Sequence, residues 1–191
     1  TTPTTPTTPP PVVPPVSNAL QVTLDPATPA ATSIADQGNA TFTTLWLTAG
    51  NAEVSVSTVW VTRYGLTSNS DIENIKILDD MGVKIGSVGS LNTNSKAQIT
   101  FSPALKIPAN TSKKFSIQAG IVDAVTSGKT AALGIDMTSE ISAGGATVTG
   151  NFPIKGNAMT VVQITLGSVK VGEQGTTTDS KPDIGKADVV V

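Results

Sequence analysis

The sequence predicts an all-β protein: an antiparallel, Ig-like or jelly-roll-like β-sandwich with an extended Pro/Thr-rich N-terminal tail. Three observations lead there. Short runs rich in Val, Ile, Thr and Phe recur from residue 19 to residue 163, separated by Gly, Asn, Asp and Pro. No window sustains the i, i+3, i+4, i+7 apolar stripe of a helix for three turns. Residues 1–16, TTPTTPTTPPPVVPPV, hold seven of the thirteen prolines and no charge. Proline at that density blocks both helix and ladder pairing and favours an extended polyproline II spacer.

The expected elements follow in order. ALQVTL (19–24) and ATFTTLWLTA (40–49) read as the first strands. AEVSVSTVWVTRYG (52–65) is the longest run; Val54, Val56 and Trp60 share one parity while Val59 and Val61 share the other. Either both faces are partly buried or a bulge reverses the face midway. IENIKIL (72–78) and VKIGSV (83–88) flank DDMG, a hairpin signal. AQITF (97–101) precedes KKFSIQAGIV (113–122), where Phe115, Ile117, Ala119 and Ile121 alternate with polar residues or glycine. TAALGIDMTSE (130–140) repeats the alternation through Ala131, Leu133, Ile135 and Met137; ATVTG (146–150) and NAMTVVQITL (157–166) complete the set. The Cys–Trp–Cys hallmark of true immunoglobulin domains is lacking, so the likeness is architectural, with Trp46 or Trp60 as the core-aromatic candidate.

This divides the chain into a Thr/Pro-rich tail or linker (1–18), a sandwich (19–163) and a C-terminal pair of strands (164–191). The last part is read through a repeat. Residues 22–44 lie over residues 169–191 without a gap, at a constant offset of 147 positions (22 against 169, 38 against 185). Strand, polar loop and strand recur in register. The closing run Ala187-Asp188-Val189-Val190-Val191 then reads as the start of a second strand copy, either the opening of a next repeat or a donor strand for a neighbouring subunit.

Composition narrows the chemistry. The chain has no cysteine, no histidine and a single arginine, Arg63. Thiolate nucleophiles, imidazole bases and imidazole metal ligands are therefore excluded, and the expectation is a non-enzyme without cofactor. Charged residues make up 14% with a net charge of −2, which gives no basic face for nucleic acid. No apolar stretch reaches the ~20 residues of a membrane helix, so no membrane insertion is expected.

Individual motifs are modest. Asn39 (GNATF) and Asn110 (ANTSK) head N-x-[ST] sequons and are candidate N-glycosylation acceptors. DDMG (79–82) reads as a turn, because the further oxygen ligands that calcium needs are missing at fixed offsets. Tyr64, beside Arg63 at a strand end, is the ring most available to stack on a sugar; most of the rings fall on apolar parities.

The run from Leu47 to Val88, LTAGNAEVSVSTVWVTRYGLTSNSDIENIKILDDMGVKIGSV, together with IPANTSKKFSI, resembles the β-sandwich repeats of large prokaryotic cell-surface and S-layer-type proteins over residues 40–125. The donated-strand arrangement is similar to that of extracellular filament subunits. The resemblance implies a secreted structural subunit that assembles end to end with copies of itself by strand complementation. The alternative is an adhesive or carbohydrate-binding module displayed on a Thr/Pro stalk.

Overall fold

The computed structural model describes residues 18–163. The tail up to residue 17 and the segment 164–191, including Ala187 to Val191, lie outside the described residues. Strands cover 58% of the structure and helix 4%, arranged as two facing sheets. The sandwich predicted from the sequence is the sandwich observed.

The first sheet contains, in spatial order, β11 (Thr147–Thr149), β1 (Ala19–Leu24), β3 (Asn39–Ala49), β8 (Ser112–Ile121), β5 (Ile72–Leu78) and β6 (Lys84–Ser90). The second runs β10 (Ile141–Ser142), β4 (Val54–Gly65), β9 (Thr130–Ile135), β13 (Met159–Val162) and β2 (Ser33–Ala35). There β7 (Lys96–Ile107) also pairs with β4, and β12 (Ile154–Lys155) with β9. Most pairings are antiparallel, as expected. Two are parallel: β1 with β11, and β13 with β2. Both parallel partners are three-residue pieces closing a sheet edge. Strands that short leave little periodic signal in the sequence, and β2, β10 and β12 were not anticipated.

Alternation in sequence becomes burial in space. Phe115, Ile117, Ala119 and Ile121 of β8 are each at most 3% exposed and face the second sheet. Ala131, Leu133 and Ile135 of β9 are likewise buried, but Met137 is 46% exposed because the strand ends at Ile135 and turns into a short 3-10 segment (Thr138–Glu140). Each large apolar side chain sealed between the sheets contributes roughly 1.5–3 kcal/mol before ordering entropy is subtracted.

The ambiguous parity of β4 is resolved by a bulge. Register against β7 shifts between Val56 and Thr58, so Val54 and Val56 point inward before it and Val59 and Val61 after it. A second shift between Thr41 and Thr43 of β3 does the same for Phe42 and then Leu45 and Leu47. These reversals push both tryptophans outward: Trp46 and Trp60 are only half-buried. The core aromatics are instead Phe42, Phe101 and Phe115, which corrects the tryptophan expectation. Strand β7 runs on to Ile107, beyond the anticipated end at Phe101, through the cis Ser102–Pro103 peptide. Proline has no N–H for a ladder, and residues 101–104 loop out of register opposite Ser57.

Candidate functional site

The two ends of the sandwich are built differently. At one pole the chain enters: Gly50 N donates to Ala19 O at 2.9 Å, Thr147 N to Asn18 O at 2.9 Å, and Asn110 N to Gly50 O at 2.7 Å. At the other it leaves. Asp36 N donates to Val162 O at 3.0 Å, Gly128 N to Val161 O at 2.9 Å, and Gln163 N to Ser127 Oγ at 2.8 Å. β3 connects these levels, with Ala49 beside Leu20 at the incoming pole and Asn39 beside Gly120 at the outgoing one. Its 11 residues span roughly 35 Å. The chain therefore traverses the long axis of the module.

The outgoing pole is tied across both sheets. Lys129, just before β9, donates from Nζ to Asp71 Oδ2 at 2.8 Å, just before β5. Ser68 N donates to the same oxygen at 2.7 Å, capping the 3-10 turn Asn69–Asp71. Burial alone would raise the Asp71 carboxyl, but hydrogen bonds from Lys129 and Ser68 outweigh it and hold the group below its ordinary 3.8. Arg63 braces the neighbouring loops: its guanidinium donates to Asn69 Oδ1, Gly65 O, Thr67 O and Ser95 Oγ. The only arginine is thus occupied with backbone and loop anchoring.

On the outer face of the second sheet lies a polar network absent from the sequence-based expectations. Glu140, 5% exposed, accepts from Asp136 N at 2.7 Å, from Thr62 Oγ1 and from Lys96 Nζ. Lys96 Nζ also lies 3.8 Å from Asp136 Oδ2, and its hydrogen bond to Glu140 raises its pKa above the ordinary 10.5. Tyr64 donates from its hydroxyl to Asp136 Oδ1 at 2.9 Å, while Lys155 Nζ sits 4.7 Å above its ring. Desolvation, followed by the Asp136 hydrogen bond, pushes the Tyr64 hydroxyl well above the usual phenol value. Tyr64 is therefore covered and engaged. The members come from positions 62, 64, 96, 136, 140 and 155, too far apart in sequence for any local pattern to join them.

Next to this network, Trp60, Asn92, Asn94, Lys96, Met137 and Ser139 line an open hollow of about 270 Å³. It presents a half-exposed indole beside amide and hydroxyl groups. Among the described residues no group of three or more carboxylates is placed to hold a metal ion. The DDMG segment forms the expected hairpin turn: Asp79 Oδ1 accepts from Met81 N and Val83 N at 3.0 and 2.8 Å, and Gly82 takes a φ of +78°.

Asn39 and Asn110, the sequon asparagines, are both exposed and lie at opposite poles: Asn39 opens β3, and Asn110, with a φ of +57°, forms the turn between β7 and β8. They form no common site. No helix among the described residues is long and apolar enough to cross a membrane.

The class defined by this geometry is a β-sandwich module whose chain runs from pole to pole. No family model matches the chain, and no curated protein matches it. Among solved structures it is similar to a family 123 glycoside hydrolase from Clostridium perfringens, with 11% identity and a TM-score of 0.42 over 76% of this chain. The chain spans 27% of that protein's length. It is also similar to the sixth cohesin of Acetivibrio cellulolyticus scaffoldin B (13% identity, TM-score 0.35, 76% of this chain and 99% of that one). The seventh ScaB type I cohesin of Pseudobacteroides cellulosolvens gives 9% identity and a TM-score of 0.35, over 80% of this chain and 97% of that one. Likenesses this distant carry no argument about function.

Proposed function

We propose that this protein is a non-enzymatic structural module of an extracellular prokaryotic surface layer or filament, joined end to end with copies of its own fold. The observation that carries this reading is the position of the two chain crossings. The polypeptide enters beside Ala19 at one pole and departs at Val162 and Gln163 at the opposite one. A module threaded this way sums its length with that of its neighbour. The strands encoded after Gln163 complete the neighbour's sheet, using main-chain hydrogen bonds for strength and alternate side chains for register. An extracellular setting is supported by the Thr-Pro composition of residues 1–16 and by the exposure of both sequon asparagines.

The test is a chain ending at Gln163. If residues 164–191 serve a neighbour, their removal leaves the melting temperature of the sandwich unchanged within about 2 °C. A drop of ten degrees or more shows that the segment belongs to its own sheet, and the end-to-end reading fails.

A second reading, a carbohydrate-binding module on a Thr/Pro stalk, is favoured by one feature, the hollow at Trp60. An indole face beside Asn92 and Asn94 offers stacking and hydrogen bonding to a pyranose. Tyr64 is excluded as the stacking ring by Lys155 above it. A glycan array with Trp60→Ala as control decides: binding lost in the variant supports this reading, and a blank array on the unaltered protein removes it.

A further inference from the structure

The end-to-end reading leaves open where on a module its neighbour is received. We infer that the hollow near the incoming pole, where β8 outruns β5, accepts an extended segment of a second copy as an added strand. This rests on the end-to-end reading and locates its acceptor.

The first sheet has a gap. β8 pairs with β3 from Gly120 down to Ser112, but its pairing with β5 stops at Ser116 opposite Leu78. β5 goes no further because Asp79 turns the chain. The Asp79 N–H donates to Val83 O at 2.9 Å, and its carboxylate accepts from Met81 N and Val83 N. The ladder fixes how the uncovered stretch of β8 faces. Ala49 N donates to Thr111 O at 3.0 Å, so Lys113 and Phe115, two and four residues on, turn their main-chain groups toward β3. Ser112 and Lys114 turn theirs the other way, into the gap, where no described strand pairs with them. A strand edge left open in this manner is a template for pairing with another chain.

The gap is also hollow. Trp46, Ile85, Leu105, Pro108 and Phe115, together with Asp79 and Asp80 of the turn, line a depression of about 480 Å³. Behind it an apolar void of about 20 Å³ lies among Leu45, Val59, Ile77, Phe101, Leu105 and Phe115. Leu105 and Phe115 border both spaces, so the core is thinnest where the sheet is incomplete. A strand laid along Ser112–Phe115 alternates its side chains between the two faces. Its inward side chain meets Leu105 and Phe115, and its outward ones lie on the side of Trp46. Lys114 does not guard the edge with its charge; its Nζ lies 5.9 Å from the centre of the Trp46 ring. Met81 and Val83, in the turn that walls the hollow, are 82% and 55% exposed, which extends the apolar surface outward.

The path of the chain selects the occupant. The hollow adjoins the pole where the chain enters: Pro108 and Thr111 flank the turn whose Asn110 N donates to Gly50 O. The chain departs at Val162 and Gln163, at the opposite pole. Head-to-tail stacking therefore brings the departing chain of one copy to the hollow of the next. Asp79 and Asp80 balance Lys113 and Lys114 around the hollow, so recognition rests on main-chain bonds and apolar side chains.

The experiment traps the occupant. The chain has no cysteine, so Lys113→Cys in the 191-residue protein carries a benzophenone maleimide at one position, on the rim of the hollow. Isotopically light and heavy chains are mixed in urea, refolded together and irradiated. Crosslinked dimers joining light to heavy chains are expected. Adding Lys114→Pro removes the N–H that points into the gap; proline is tolerated there because that N–H serves no ladder. Mixed dimers should then fall about tenfold or more, whereas Lys114→Ala, which keeps the N–H, leaves them unchanged. Crosslinks confined to single chains show the hollow filled by the chain's own segment and overturn the inference. Mixed dimers that survive Lys114→Pro overturn it as well. If Lys114→Pro does not fold, the isotope pattern decides alone. Sedimentation of the unaltered protein separates this inference from the reading beneath it. Concentration-dependent assembly without mixed crosslinks removes the acceptor hollow and leaves the end-to-end reading standing; no assembly at any concentration removes both.

Discussion

Lys129 and Asp71 form a bridge between the two sheets at the outgoing pole, with Nζ 2.8 Å from Oδ2 and Asp71 largely buried. The adjacent backbone reinforces it, because Val122 N donates to Asp71 O at 3.1 Å. The bridge thus holds together the loops from which β5 and β9 start, on the end of the module where its chain departs.

Acid should find this bridge first. The folded-state pKa of Asp71 is depressed, so its contribution is fully present above the ordinary value near 3.8 and is lost as pH falls through the lower folded value. We expect Asp71→Asn to cost about 1.5–3 kcal/mol at pH 7, the range for hydrogen bonds to a charged partner. The gap between variant and parent should narrow below about pH 4. Urea titrations at pH 7 and pH 3 measure it; an unchanged gap would mean that the carboxylate's charge is irrelevant there.

Glu140 anchors the outer network with almost no solvent contact. Glu140→Ala strands Lys96 and removes the acceptor of Asp136 N, at a cost of about 2–4 kcal/mol, below the extreme for a sealed pair because Lys96 is 26% exposed. Because the Lys96 pKa is raised, its share of stability is present below the ordinary 10.5 and disappears as pH rises through the higher folded value. Thermal melts should therefore separate parent and variant more at neutral than at strongly alkaline pH, where only the part due to the bonds from Asp136 N and Thr62 Oγ1 remains.

The chain has one tyrosine, so its ionisation can be followed without interference. Tyr64 should show phenolate absorbance only well above pH 10 in the folded state and near 10 after unfolding. Asp136→Asn, which removes the charge and weakens the accepted hydrogen bond, should lower the folded value. A folded titration at the ordinary pH would contradict the Asp136 contact.

Gly156 sits where the sheets touch. A Cβ there would lie 1.7 Å from Phe42 O, and the Gly156 N–H donates to Thr43 Oγ1 at 2.8 Å. Gly156→Ala must push the strands apart, which we expect to cost at least about 3 kcal/mol. Gly82→Ala, with open space around its Cβ, should cost less and only through its φ of +78°. Comparing the two by denaturant unfolding tests whether close approach or backbone conformation dominates.

Strands 19–24 and 72–78 could be read to the residue because both apolar runs are bounded by turn formers, although a register shift between Glu73 and Lys76 interrupts the alternation of the second. The same holds for the inward set of β8 and for the Asp79 hairpin. β2, β10 and β12 escaped because two or three residues carry no measurable period. The polar network escaped for a different reason. Lys96, Asp136 and Glu140 are ordinary surface residues in sequence and meet only because β7 and β9 flank β4.

By itself the sequence determined the class of fold, most strand positions and the lack of thiol and imidazole chemistry. These are local or additive properties: alternation and composition do not depend on what lies across the sheet. Tertiary structure alone decided that both tryptophans face outward, that Tyr64 is covered, and that the chain crosses from pole to pole. Each of these turns on a bulge, a crossover or a cross-sheet contact, where residues distant in sequence settle which face of a strand is inside.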